Sequence, residues 1–96
     1  MFKHIVMFKL KDKTDDNIKK AVDALRGMEG KIETLEFIEV GVDVFSSNRS
    51  YDIVLTTHFA SQNGLQVYMD HPVHIPVKSL MGSICASSVV VDYEAD

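Results

Sequence analysis

The hydrophobic period of the chain changes along its length in an order that restricts the fold. Strand-like alternation covers residues 2–11, 32–45, 51–59 and 89–93. Helical spacing of apolar residues lies between the first two of these segments, and again between the last two. The order β-α-β-β-α-β is typical of an α+β domain, in which two helices cover one face of an antiparallel four-stranded sheet. The sequence therefore predicts a ferredoxin-like fold.

The first helix has the clearest start and stop signals. Thr14 is a suitable N-cap, and Asp15 and Asp16 suit the positive end of the helix dipole. Gly27 and Gly30 provide the stop. One face carries an apolar stripe made of Ile18, Ala21, Val22, Leu25 and Met28.

The second helix is predicted to begin after a cap at Ser61. Its inward stripe comprises Leu65, Tyr68 and Met69. It should end or bend at His71, because a following proline disfavours helical geometry. Residues 73–84 are then expected to form a short irregular or helical continuation.

The predicted strands are apolar on both faces, although an open antiparallel sheet normally has one polar face. In the first strand, Val6 and Phe8 alternate with Ile5 and Met7. Something must cover the second face, and an identical subunit is the simplest candidate, burying about 1,200–2,000 Å². We therefore expect a homodimer in which two sheets face each other as a dimeric α/β barrel.

The second predicted strand, residues 32–45, changes phase part-way. Leu35 and Phe37 point to one side, and Ile38 and Val40 to the other. This pattern predicts a bulge near Phe37 and Ile38. Ile38 and Val40 are expected to lie in the subunit interface.

Composition limits the class of protein. The 96 residues suit a single domain spanning 1–96. A net charge of −4 and scattered lysines argue against nucleic acid as a partner. Neither a signal peptide nor a membrane span is recognisable, so a cytoplasmic protein is expected. Cys85, the single cysteine, is predicted to be a buried structural thiol.

The segment YMDHPVHIPV contains the residues with the most chemical potential. His74 could accept a proton near neutral pH, and Tyr68 could donate a hydrogen bond to a developing enolate. His4 on the first strand can point into the same space, which predicts a ligand pocket with apolar walls. His71 is assigned either to this pocket or to fixing the turn before Pro72. The prolines prevent the alignment a metal site requires, so no metal and no cofactor are expected.

Four segments in order, KHIVMFKLK, YDIVLTTHF, YMDHPVHIPV and VVVDYE, resemble the stress-responsive A/B barrel (Dabb) family over nearly the whole chain. The resemblance implies a dimeric α+β barrel. Olivetolic acid cyclase, a polyketide cyclase, is distantly similar, which implies catalytic roles for Tyr68 and His74 and a pocket position for His4. A third-strand histidine of that cyclase corresponds to Ile53 here, which is a departure from its pattern.

Three functions follow as expectations. The first is a small homodimer whose pocket, lined by His4, Tyr68, His71 and His74, binds a small, partly apolar molecule. The second is a cyclase or lyase with His74 as the base and Tyr68 as the oxyanion donor. The third is a purely structural dimer of the stress response.

Overall fold

The secondary structure follows the predicted order with one additional helix. The computed structural model describes all residues, Met1–Asp96. Its elements are β1 (Phe2–Leu10), α1 (Asp15–Arg26), β2 (Phe37–Val42), β3 (Ile53–Phe59), α2 (Gln62–Met69), α3 (His74–Ile84) and β4 (Cys85–Glu94). The strands form one antiparallel sheet in the order β2-β3-β1-β4. This confirms the ferredoxin-like fold.

Helix α1 begins and ends as its sequence predicts. The Thr14 hydroxyl accepts a hydrogen bond from the backbone N–H of Asn17 at 3.1 Å. Gly27 is the C-cap residue, and Gly30 follows with a φ of 76° that favours glycine. The stripe of α1 contributes Ala21, Val22 and Leu25 to the core.

The second strand is shorter than predicted. Residues before Phe37 form turns, and Ile32 reaches the core from one of these turns with only 3% of its surface exposed. The apolar alternation of residues 32–36 therefore reflects the burial of side chains and does not indicate an extended backbone. The predicted bulge near Phe37 and Ile38 is wrong, because the β2–β3 register is continuous. The register shift lies instead in the β1–β4 pair, between Lys9 and Leu10.

Both faces of the sheet are apolar, as predicted. The helix-covered face includes Val6, Phe8 and Leu55, all buried. The opposite face, called the open face below, has no helix. Its apolar residues, identified from the strand pairing, are Ile5, Met7, Phe37, Val54, Val89, Val91 and Tyr93.

The assignment of Ile38 and Val40 to a subunit interface is wrong. Val40 pairs with Leu55 and Ile38 pairs with Thr57, so both side chains lie on the helix-covered face. Val40 is 7% exposed and belongs to the core. A charge there would disrupt the fold of a single subunit rather than the contact between two.

The segment after α2 is more regular than the sequence indicates. The break covers residues 70–73, which include Pro72, and an 11-residue helix, α3, begins at His74. Pro76 is tolerated in the first turn of α3, where a backbone N–H has no partner within the helix. None of the helices has the length and apolar character needed to span a membrane.

Candidate functional site

A cavity of about 490 Å³ lies between the helices and the β1–β4 side of the sheet. Its size is within the range of small-molecule sites. Ten of its seventeen lining residues are hydrophobic, Tyr68 among them, and the others include His4 and His74. The structure therefore brings together three of the four predicted site residues.

Tyr68 lies at the centre of the polar part of this cavity. Helix α2 directs its ring toward the sheet, where it packs 5.2 Å from Phe59 and is fully buried. Its hydroxyl oxygen has no hydrogen-bond partner in the protein. Burial raises the pKa of Tyr68 well above its usual value, so the phenol stays protonated and able to donate.

His74 packs beside Tyr68, with the ring planes tilted by 42° and the ring centroids 4.4 Å apart. It is the first residue of α3, and its Nδ1 lies 3.1 Å from the carbonyl oxygen of Met69. A carbonyl only accepts, so the proton is on Nδ1 and the lone pair is on Nε2. Burial lowers the pKa of His74, which keeps the ring neutral and its Nε2 an acceptor.

His4 completes the cluster from β1, 6.0 Å from the Tyr68 ring between centroids. Its Nδ1 is hydrogen-bonded to the carboxylate of Asp92, the residue paired with it across β4. The carboxylate accepts, so Nδ1 of His4 carries the proton of this hydrogen bond. Thr57 fixes the strand beneath by donating to the His4 carbonyl at 2.8 Å.

Asp92 is the site residue that sequence reasoning missed. In the segment VVVDYE, Asp92 directly follows three valines. An acidic residue at the end of an apolar run is the one sequence signal that could have marked it. Its contact with His4 depends on the β1–β4 register, which a sequence alone does not specify.

His71 lies at the turn between α2 and α3 and is not among the residues that line the cavity. Its Nδ1 accepts the backbone N–H of Val73 at 3.0 Å, and its Nε2 lies 3.3 Å from the Glu33 carboxylate. Both ring nitrogens are thus engaged by the protein. A role for His71 in contacting a ligand remains a prediction.

Other titratable residues have local structural surroundings. Cys85 is half-buried at one end of the cavity, and burial raises the pKa of its thiol. The buried Asp52 accepts the backbone N–H of Leu10 at 2.8 Å. His58 stacks on Phe37 at 4.4 Å on the open face. Nowhere do three or more His, Cys, Asp or Glu side chains converge as a metal site would need.

A family comparison gives the chain its place among known proteins. The model of the stress responsive A/B barrel domain matches residues 2–95. The chain belongs to this family. An uncharacterized protein from Streptomyces coelicolor is 30% identical over 97 residues, covering 98% of this chain and 99% of that protein.

Solved structures agree with the fold of this A/B barrel domain. A dimeric ferredoxin-like protein of unknown function from Bacteroides fragilis is 27% identical, with a TM-score of 0.84 over 98% of this chain and 95% of the other. Two further ferredoxin-like structures are also described as dimeric. The hydroxynitrile lyase of Passiflora edulis has the same fold at 14% identity, with a TM-score of 0.86 over 99% and 93% of the two chains.

Proposed function

We propose that this A/B barrel protein binds a small, partly apolar molecule in the cavity between the sheet and helices α2 and α3. The observation that carries the proposal is the hydroxyl of the cavity-lining Tyr68, which is buried and has no partner in the protein. An unsatisfied buried hydroxyl costs about 1–3 kcal/mol, a cost that a bound acceptor would remove. A purely structural role offers no such compensation.

The polar groups indicate which part of the ligand lies deepest. Tyr68 donates, while Nε2 of His74 accepts. A hydroxyl group satisfies both kinds of partner, and so does a carbonyl flanked by an acidic C–H. The surrounding Val77, Met81 and other apolar residues suit a hydrocarbon or aromatic body.

The test uses 4-pentylphenol as a neutral probe, titrated calorimetrically into the purified protein. Loss of the Tyr68 hydroxyl in Tyr68→Phe should weaken binding about fivefold, since one hydrogen bond contributes about 1 kcal/mol. Tyr51→Phe makes the same chemical change outside this cavity and should have no effect. Failure of the wild-type protein to bind at millimolar concentration, or equal binding by Tyr68→Phe, would contradict the proposal.

A homodimer is the second part of the proposal, with the open faces of two sheets packed together. Five large apolar side chains on that face are each about 40% exposed or more: Met7, Phe37, Val89, Val91 and Tyr93. A contiguous apolar surface of this kind usually marks an association site. The dimeric state described for the Bacteroides fragilis structure supports this arrangement.

The geometry of His74 also favours a second candidate, an enzyme that abstracts a proton. With Nδ1 anchored on Met69, Nε2 can take a proton from carbon next to a carbonyl, and the Tyr68 O–H can donate to the enolate oxygen. In a poly-β-keto chain the enolate carbon would then attack a second carbonyl and form a ring. In a cyanohydrin the same base would take the hydroxyl proton as cyanide leaves.

The enzyme hypothesis is tested by incubating the protein with a poly-β-keto thioester and with mandelonitrile, and by following ring formation or aldehyde release. Turnover should disappear in His74→Gln and Tyr68→Phe while circular dichroism stays unchanged. Turnover that survives in both variants would refute these catalytic roles. Absence of turnover together with probe binding would leave the protein as a binding protein.

A further inference from the structure

A row of side chains crosses the open face near the end of the sheet where β1 begins and β4 ends. In the strand pairing, Tyr93 lies opposite Lys3, Lys3 opposite His58, and His58 opposite Phe37. The His58 ring stacks on Phe37, with the ring centroids 4.4 Å apart and the ring planes 25° from parallel. No other histidine belongs to the open face, because His4 lies on the helix-covered face and the other two follow α2. His58 is therefore the one imidazole that a second sheet would cover.

Charged groups of both signs lie around His58. Lys3 is directly opposite on β1, and the Cβ atoms of such a pair are about 4.5–5.5 Å apart. On the other side, Glu36 donates its backbone N–H to the His58 carbonyl oxygen at 3.0 Å, and Glu39 follows in β2. Loss of hydration lowers the pKa of His58, and the positive charges of Lys3 and the amino terminus lower it further, while the two glutamates offset part of the decrease. The neutral ring is thus the favoured form already in a single subunit near neutral pH.

A second sheet packed on this row would favour the neutral form more strongly. A neutral imidazole can stay stacked on Phe37 in an apolar contact, whereas a protonated ring would be a desolvated cation opposite Lys3. The long side chain of Lys3 can extend its ammonium group past the end of the sheet into water. The ring of His58 lies close to its backbone, so its charge has no such route. The proposed dimer is therefore compatible with a neutral His58 and opposes a protonated one.

We propose that His58 makes assembly of the homodimer pH-dependent, with acid releasing the subunits. This inference rests on the proposed homodimer and adds its regulation. Because the proton affinity of His58 is lower in the dimer than in the free subunit, dissociation takes up one proton per subunit. By linkage, the dissociation constant should rise by up to about 100-fold per pH unit below the pKa of His58 in the free subunit, and should be constant well above it.

The net charge of the chain predicts the opposite direction. Each subunit carries a net charge of −4 near neutral pH. Acidification reduces this charge, so the general repulsion between two subunits falls and the dimer should become tighter. A dimer that weakens on acidification therefore points to a specific group in the interface.

The test measures the dissociation constant of the wild-type dimer by sedimentation equilibrium at pH 7.5, 6.5 and 5.5. Between the first and last of these values the constant should rise about tenfold or more. Circular dichroism at each pH establishes that the free subunit is folded. Dissociation accompanied by loss of the circular dichroism signal would refute the inference, because the subunits would be separating through unfolding.

Two variants of His58 separate its charge from its shape. His58→Gln cannot be protonated and should keep nearly the same dissociation constant at all three pH values. His58→Lys carries a positive charge throughout and should weaken the dimer about tenfold or more at pH 7.5. His71→Gln is the matched control, since it removes a histidine at the turn between α2 and α3 and should show the wild-type rise.

The remaining outcomes distinguish this inference from the proposed dimer. A wild-type protein that is monomeric at pH 7.5 would refute the homodimer and the inference together. A dimer that is equally tight or tighter at pH 5.5 would refute the inference and leave the homodimer intact. A rise in the dissociation constant that persists in His58→Gln would refute the role of His58.

Discussion

Substitutions of Gly82 test two properties independently: the stability of the fold and the accessibility of the cavity to a ligand. It lies within α3 and lines the cavity, and a Cβ placed on it would meet no atom within 4 Å. Alanine is favoured over glycine inside a helix by up to about 1 kcal/mol. Because Gly82 is near the end of the helix, we expect Gly82→Ala to stabilise the protein by about 0.5–1 kcal/mol.

For a domain of this size, that gain corresponds to a rise of about 3–6 °C in melting temperature. Gly64→Ala is the matched comparison, because Gly64 is also helical but a Cβ there would lie 3.3 Å from the Cβ of the buried Phe59. Phe59 would have to move, so Gly64→Ala should gain little or lose stability. Both variants are compared by thermal unfolding under identical conditions.

Gly82→Phe extends the same reasoning to function. Its ring should enter the open space of the cavity without displacing the backbone, and should abolish binding of 4-pentylphenol in a protein that still unfolds cooperatively. A lower melting temperature for Gly82→Ala would refute the packing argument. Wild-type affinity in Gly82→Phe would show that the probe binds somewhere else.

Two further predictions concern assembly and pH. Val91 lies on the open face and is 60% exposed in one subunit, so Val91→Asp would bury a charge in the proposed interface and should shift the protein from dimer to monomer in sedimentation. Ile75→Asp, outside the open face, should leave the dimer intact. A dimer that survives Val91→Asp would contradict the proposed interface. The lowered pKa of His74 means that the unfolded chain binds more protons below pH 6.5, so stability should fall as pH decreases through this value and be constant above it. Urea unfolding at pH 5.5 and 7.5 should show a smaller difference for His74→Gln than for the wild-type protein; an equal difference would show that other groups are responsible.

Much of the fold was predictable because local signals and packing agree. The cap at Thr14 and the apolar stripe of α1 act within one helix, so their sequence spacing is enough. The second strand was overestimated because Ile32 is buried by a turn that packs on the core. Its apolar character reports the burial of the side chain and carries no information about backbone extension.

The sequence could predict a residue of the candidate site only where the periodicity of a single helix or strand fixes the direction of its side chain. Tyr68 lies on the inward stripe of α2, and His4 shares a strand face with Val6, so both could be placed from periodicity. Asp92 reaches His4 only through the pairing of the first and last strands. Residues that line the cavity from α3, such as Val77 and Met81, could not be placed because α3 itself was not clearly predicted, and the face of an unrecognised helix cannot be assigned.

The alternation of β4 has an evolutionary consequence. Ser88, Val90 and Asp92 line the cavity, while the intervening Val89, Val91 and Tyr93 lie on the opposite side. Under the proposed ligand binding and dimerisation, neighbouring codons of one short gene segment experience different selection, one set for the bound molecule and the other for subunit recognition. A lineage could acquire a new ligand by changes at every second position while keeping its quaternary structure, and the reverse could happen equally well.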